Sequence, residues 1–550
     1  MQKIKYLLLA TALMLQACGG DGNNEDDASV VDSNTDGGNT DNGNRPCVPS
    51  AGVDLPDDNS TDSNCDGNDD DGDIETAMFV SAENGTDVAR TGEEEGDAIP
   101  GSVDAPFLTI GHAISQAKEY GVELILISKG IYEEQVNLES SISLHGGYDA
   151  ADEWSHDAEN LTIIRYANKP VQADNVNGVV LSHLHIESGD APIGESAIAA
   201  TFKNSSDIQI RYSSIRAGRG GDGEAGGTPS SLVPAAKAGS AGSGMPAGFW
   251  LPRSISDPGD WYVKEGIATP SSDCGCGDAG KGGGYVYENR HAVVIHSNRS
   301  YMRGFHMTVD GACVERPESA PLDGEKGLNG APGGAGHGFG AFDIDEFTYS
   351  AANTRGSAGS SGFPGAGGKG GSTADSYLIC DDGSGSHILF YEPHGGASGG
   401  TGGCPGRGGD GGSGGLASVA LYLINSPVEL VATDIITAGG GDGGAGGIGQ
   451  SGSTGGMGGD SGGGPVRNVA CSEPGPYYDL DVGSGGGRGG DGGDGGQGGG
   501  GSGGPSVGVV FYGSGPSVAD VDFQIGAGGE GGAAVNRGAP GQSLEMLDIN

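Results

Sequence analysis

The chain has 550 residues, 115 of them glycine, with only 35% hydrophobic and 6% aromatic. Its 74 acids against 27 bases leave a formal charge of −47. That balance excludes a surface built to neutralise nucleic-acid phosphates or to dock on anionic lipid headgroups, and no apolar run is long enough for a membrane-spanning helix.

Residues 1–18 read as an export signal: Lys3 and Lys5 precede a short apolar stretch, Leu7 to Leu15, that is too short to span a bilayer. It ends Leu15-Gln16-Ala17-Cys18, with no A-x-A cleavage site nearby. This end resembles a bacterial lipoprotein signal, which implies that Cys18 is diacylated and becomes the mature N-terminus. Gly19 and Gly20 stand where an inner-membrane retention aspartate would be, so the resemblance implies the outer membrane or cell surface.

Residues 19–76 carry many acids against the single base Arg45, among Asn, Ser and Gly. Such a segment buries too little apolar area to offset chain entropy, and a disordered tether is expected. Within it Asp66, Asn68, Asp70, Asp71 and Asp73 resemble the D-x-D-x-D-G loops that converge oxygens on calcium. Asp71 occupies the turn position, with Gly72 one place late, and no glutamate closes the loop. A solvated acidic linker and a weak calcium site therefore both stand.

Setting Cys18 aside leaves an even number of cysteines, which in an exported protein suggests disulfides. Cys47 and Cys65 are the candidate pair that would close the acidic segment. The Cys274-Gly275-Cys276 spacing is too tight for a zinc knuckle, so these are expected to be bridges.

Residues 77–216 open with a strand at Met78-Phe79-Val80. Ile110, Ala113, Ile114 and Ala117 then follow helical spacing, with Pro106 just ahead. Short strands come next, at Glu123–Ser128, Gln135–Leu138, Ile142–His145, Leu161–Ile164, Val179–Ile186, Ile198–Phe202 and Ile208–Ile210. Turns recur without hairpin-type Asn-Gly pairs, which favours stacked coils, and one amphipathic helix before the first coil would close its apolar end.

Pro106-Phe107-x-Thr109-Ile110-x-x-Ala113-Ile114, Gly130-Ile131-Tyr132-x-Glu134-x-Val136-x-Leu138 and Ile142-Ser143-Leu144-x-Gly146-Gly147-Tyr148 carry a resemblance. They are similar to the pectate-lyase-like proteins, in a bacterial (myxobacterial-type) surface lipoprotein subgroup. The resemblance implies an all-β fold, a right-handed parallel β-helix with an N-terminal capping helix; the family's activities are too varied to transfer.

Residues 217–550 hold glycine-rich, PGRS-like repeats. Glycine recurs every third residue from 440 to 458 and from 486 to 504, with shorter runs at 324–336, 356–371 and 403–415. Three residues make one turn of a polyproline II helix, and the near absence of proline argues against collagen. A bundle of polyproline II arms and a flexible Gly/Ser linker both remain open. Leu416–Leu423, Val428–Val431, Ser506–Tyr512 and Val518–Ile525 read as strands between the arms, so further β-helix coils are expected, interrupted by glycine-rich arms.

Chemistry is sparse. Gly441-Asp442-Gly443-Gly444-Ala445-Gly446 fits a dinucleotide fingerprint but follows no βαβ pattern. If one strand runs through them, His183, His185 and Glu187 share a face, a two-histidine, one-carboxylate set; an outward polar face beside inward Val180, Leu184 and Ile186 is the plainer expectation. Asp207, Arg211 and Arg216 are the pieces a lyase would use, and Tyr148, Trp154 and Tyr212 could stack on sugars. No set matches a catalytic motif, and catalysis is not expected. The expected role is a non-catalytic, lipid-anchored surface or outer-membrane protein for structure, adhesion or display, held to the membrane by its lipid and able to contact polysaccharide. The alternatives are a carbohydrate-active β-helix enzyme and a carbohydrate- or ice-binding protein. No nucleic-acid partner is expected, and calcium is the only cofactor suggested.

Overall fold

The computed structural model describes residues 77–90, 99–241, 271–280 except 275, 307–308, 312–370 except 318, 396–460 and 484–550, with the backbone of some short strands elsewhere. Cys18, Cys47, Cys65 and the Asp66–Asp73 set lie outside them.

Among the described residues the chain is mostly β, and its main sheets are parallel. The first sheet takes Met78–Val80, Leu124–Ser128, Ser143–Asp149, Asn177–Ser182, Ser206–Arg211, Val428–Val431 and Ser517–Ala519. The second takes Gly130–Tyr132, Thr162–Tyr166, Leu184–Ser188, Ser214–Ala217, Asp434–Thr437 and Asp522–Ile525. The third takes Val136–Asn137, Val171–Asp174, Ala197–Lys203, Ser418–Ile424, Ser506–Tyr512 and Ser543–Asp548. The chain visits first, second and third sheet in turn, then begins the next coil one strand over.

Register stacks like on like. Ile164, Ile186, Ile215 and Ile435 pair in succession on the second sheet, and all are fully buried. Leu144, Leu181, Ile210 and Leu430 do the same on the first. Each burial removes apolar surface from water, worth about 1.5–3 kcal/mol per side chain.

Helix Ile110–Tyr120 closes the N-terminal end, burying Ile110, Ala113, Ile114 and Ala117 against the same core. Thr109 caps it by accepting from the His112 N–H, and the Glu134 carboxylate accepts the Ile110 and Gly111 N–H groups at 2.8 and 2.9 Å. The expected capping helix is present.

Left-handed residues turn the corners. Between third and first sheets stand Asn175, Asn204 and Asn425, with φ of 57°, 49° and 48°, followed in register by Gly513. Asparagine tolerates this conformation better than most residues. Each Asn N–H donates to the carbonyl on the next coil, from Lys203, Ile424 and Tyr512. The Asn425 side chain donates to that of Asn204 at 3.3 Å.

The glycine-rich arms interrupt coils. All three leave the corner between second and third sheets, spanning 218–417, 438–505 and 526–542, and return at Ser418, Ser506 and Ser543, which pair with one another. The first arm also folds a hairpin, Ala341–Asp343 with Thr348–Ser350, back over the third sheet. Phe342 and Phe347 meet Tyr422 edge-on, and the Tyr422 hydroxyl donates to Asp343 O at 2.9 Å. That cover explains why Leu416–Leu423 is apolar without alternation: both faces of the sheet are buried.

The glycine runs are ordered. Gly441, Gly444, Gly447, Gln450, Ser453, Gly456 and Gly459 donate N–H groups to Leu416, Ser413, Asp410, Arg407, Cys404, Thr401 and Ser398, an antiparallel ladder in steps of three. Similar ladders join rods 218–241, 319–336, 354–370, 396–417, 438–460 and 484–505 into one lattice. Rod 484–505 lies at its centre and needs two bare positions per turn: a Cβ on Gly492 would sit 2.1 Å from Cys404 O, and one on Gly493 1.9 Å from Leu328 O. Rod 319–336, at the rim, needs glycine only once per turn, at 324, 327, 330, 333 and 336. Disulfides Cys274–Cys404 and Cys276–Cys313 tie residues 271–280 to the lattice, so the tight cysteine pair serves as bridges.

Candidate functional site

Among the described residues, a group of titratable side chains lies at the corner between first and second sheets. His183, Tyr212, Ala432 and Asp520 occupy it on successive coils, each with φ between 45° and 53°. The N–H groups of His183, Tyr212 and Ala432 donate to the carbonyls of Arg211, Val431 and Ala519. On the first sheet just before this corner, His145, Ser182 and Arg211 stand in register.

Residues 149–161 fold over this column. His156 meets His183 at 4.4 Å between ring centroids, Tyr148 lies 4.9 Å from His156, and Tyr212 stacks on His183 at 5.2 Å. Ser182 Oγ is 2.9 Å from His183 Nδ1. His145 is 4% exposed and Ser182 fully buried. Burial first, then the nearby Arg211, His183 and His156, push the His145 pKa down to about 3. Burial, with His156 and Arg211, takes His183 down to about 4. Neutral imidazoles packed ring against ring under a roof make a structural corner sensitive to acid.

The two-histidine, one-carboxylate set is not assembled. The strand breaks at His183, whose left-handed backbone turns it toward His156 and Tyr212, while His185 and Glu187 stay on the second sheet. Glu187 instead holds Arg165 at 2.8 and 3.0 Å. The break also reverses part of the expected face: Leu181 is buried, whereas Val180 is half-buried and points outward. Among the described residues no three His, Cys, Asp or Glu side chains group to hold a metal ion.

Asp207 and Arg211 lie at opposite ends of strand Ser206–Arg211, about 13 Å apart at a rise of ~3.3 Å per residue. Arg216 is around the corner on the second sheet, so the lyase pieces do not converge. Tyr148 and Trp154 are buried, Trp154 edge-on to Phe79 at 4.6 Å, and neither is open to a sugar.

What the sequence reading missed is the outer face of the second sheet. Arg165, Glu187 and Arg216 stand there in register, beside Tyr166, which is 44% exposed. The alternation within Thr162–Tyr166 and Leu184–Ser188 carried that signal, but pairing across coils did not. Among the described residues no helix is long and apolar enough to cross a membrane. No family model matches the chain, and neither curated proteins nor solved structures give a match.

Proposed function

We propose that this chain is a non-catalytic, lipid-anchored surface protein whose coils form a right-handed parallel β-helix and whose arms form a rigid polyproline II platform for adhesion or display. The carrying observation is that three arms leave one corner of successive coils and hydrogen-bond into a single lattice. That arrangement commits the glycine-rich rods to a stiff surface, and the acid-rich tether at 19–76, with its calcium-loop-like segment, would hold it away from the membrane.

Three measurements test this reading. Cells expressing the chain should keep it in the membrane fraction, and Cys18→Ala should release it. Protease treatment of intact cells should release the protein by cutting the tether, and purified mature protein should leave acidic polysaccharides uncleaved with calcium present. Retention of Cys18→Ala in the membrane, or release of unsaturated sugars, would overturn it. A second reading, carbohydrate binding without cleavage, is favoured by Arg165 and Arg216 in register on the outer face, with exposed Tyr166 at the end of the same strand; Tyr166→Ala should then abolish retention on a polysaccharide column.

A further inference from the structure

The third arm is short, and the groove it occupies outlasts it. Its outgoing limb lies along rods 438–460 and 484–505, taking the N–H groups of Gly440, Gly443 and Gly446 on the carbonyls of Ala527, Glu530 and Ala533 at 3.0, 2.8 and 3.0 Å. Its returning limb takes the Gly500 and Gly503 N–H groups on Asn536 O and Ala539 O. Under the arm, Gly500 and Gly503 must be bare, since a Cβ would fall 2.0 and 1.9 Å from Gly532 O and Gly529 O.

Beyond the tip, the same row of rod 484–505 carries side chains: Gln497, Asp494, Asp491 and Arg488. Gln497 Oε1 accepts the Val535 N–H at the tip itself, at 3.1 Å. Asp494 and Asp491 then accept the N–H groups of Gly452 and Gly455 at 3.1 and 2.9 Å, continuing the row that the arm's carbonyls served. On the other side Asn329 and Asp323 accept the Asp494 and Arg488 N–H groups at 3.0 and 2.8 Å, where the returning limb would have served them. Lys326 and Arg488 hold the two carboxylates in place. Side-chain oxygens thus stand where the carbonyls of a longer arm would be.

We propose that this upper groove is a lattice edge held shut by Asp491 and Asp494, and that opening it lets a glycine-triplet segment from a second copy of this chain dock there. The fit is set by continuity: the lower half of the same groove already seats such a segment, with glycine at every third residue and carbonyls facing rod 438–460. Exposed Ile448 and Met457, on the outward row of that rod, would be partly covered by the newcomer. An exposed row of unpaired N–H groups templates association, and closing it with polar side chains prevents that.

The test uses the full mature chain. In Asp491→Gly/Asp494→Gly, which also bares the row as Gly500 and Gly503 are bare under the arm, amide exchange at Gly452 and Gly455 should rise roughly tenfold or more, as expected for losing charge-assisted hydrogen bonds. Sedimentation should shift from the wild-type species to a concentration-dependent dimer or larger. Asp491→Asn/Asp494→Asn keeps an acceptor at each place and should sediment as wild type. Unchanged exchange in the glycine variant would show that the carboxylates do not close the edge. Faster exchange with wild-type sedimentation would show that the open edge attracts no second copy. Equal association of the glycine and asparagine variants would assign the effect to charge, and any of the three overturns the proposal.

Discussion

Acidifying the protein from pH 7 to pH 5 should destabilise the coils, and the corner histidines set how much. His145 is neutral in the folded state because burial and the facing Arg211, His183 and His156 hold its pKa near 3; His183 lies near 4. Unfolded, both take up a proton near pH 6.5. The unfolded state therefore binds more protons below that pH, so stability is full above it and falls as the pH drops, until the native rings protonate in turn. Each group removes about 1.4 kcal/mol per pH unit in this window. At pH 5 that is about 2 kcal/mol for His145 and somewhat less for the half-open His183, or roughly 3–4 kcal/mol together. The lowered carboxylates, such as Asp149 held by Lys129 and Asp494 by the Gly452 N–H, contribute only at more acid pH. Urea unfolding followed by tryptophan fluorescence, which includes buried Trp154, reads the difference. His145→Gln/His183→Gln should flatten it. Equal stability at pH 7 and pH 5, or the same slope in the double variant, would refute the reasoning.

Other expectations follow from the packing. Gly493→Ala puts a Cβ 1.9 Å from Leu328 O and should cost about 3 kcal/mol, measured as a fall in melting temperature, whereas Ser451→Ala on the exposed outward row should stay within about 0.5 kcal/mol. Non-reducing peptide mapping should recover Cys274 joined to Cys404 and Cys276 to Cys313, and Cys276→Ser with Cys313→Ser should lower stability by about 2–4 kcal/mol. Asn204→Ala should lose about 1–2 kcal/mol through its left-handed backbone, read by chemical denaturation, with Asn204→Gly losing less.

The sequence displayed what is local. Ile110, Ala113, Ile114 and Ala117 marked the capping helix because one turn of helix repeats within four residues, and Ser506–Tyr512 showed itself by its apolar run. Glycine every third residue marked the rods. What stayed hidden depends on neighbours far along the chain. His183 looked like mid-strand because nothing beside it announces a left-handed turn; its conformation is held by hydrogen bonds with the next coil. The rods' order was hidden too, since Gly492 is bare on account of Cys404 and Gly493 on account of Leu328. Yet part was readable in hindsight: where the row Arg488, Asp491, Asp494, Gln497 gives way to Gly500 and Gly503, the chain writes down how far the third arm reaches.

The route of the chain through the lattice bears on how it can be made. Strand Ala197–Lys203 must wait for Ser418–Ile424 before its free side is paired, so a nascent chain can stack its first turns early and then has to pause. Rod 484–505 enters after rods 319–336, 354–370, 396–417 and 438–460 and threads between them. Assembly of the lattice is therefore a late, concerted event, and errors of threading there, more than in the coils, are what cellular quality control would have to recognise.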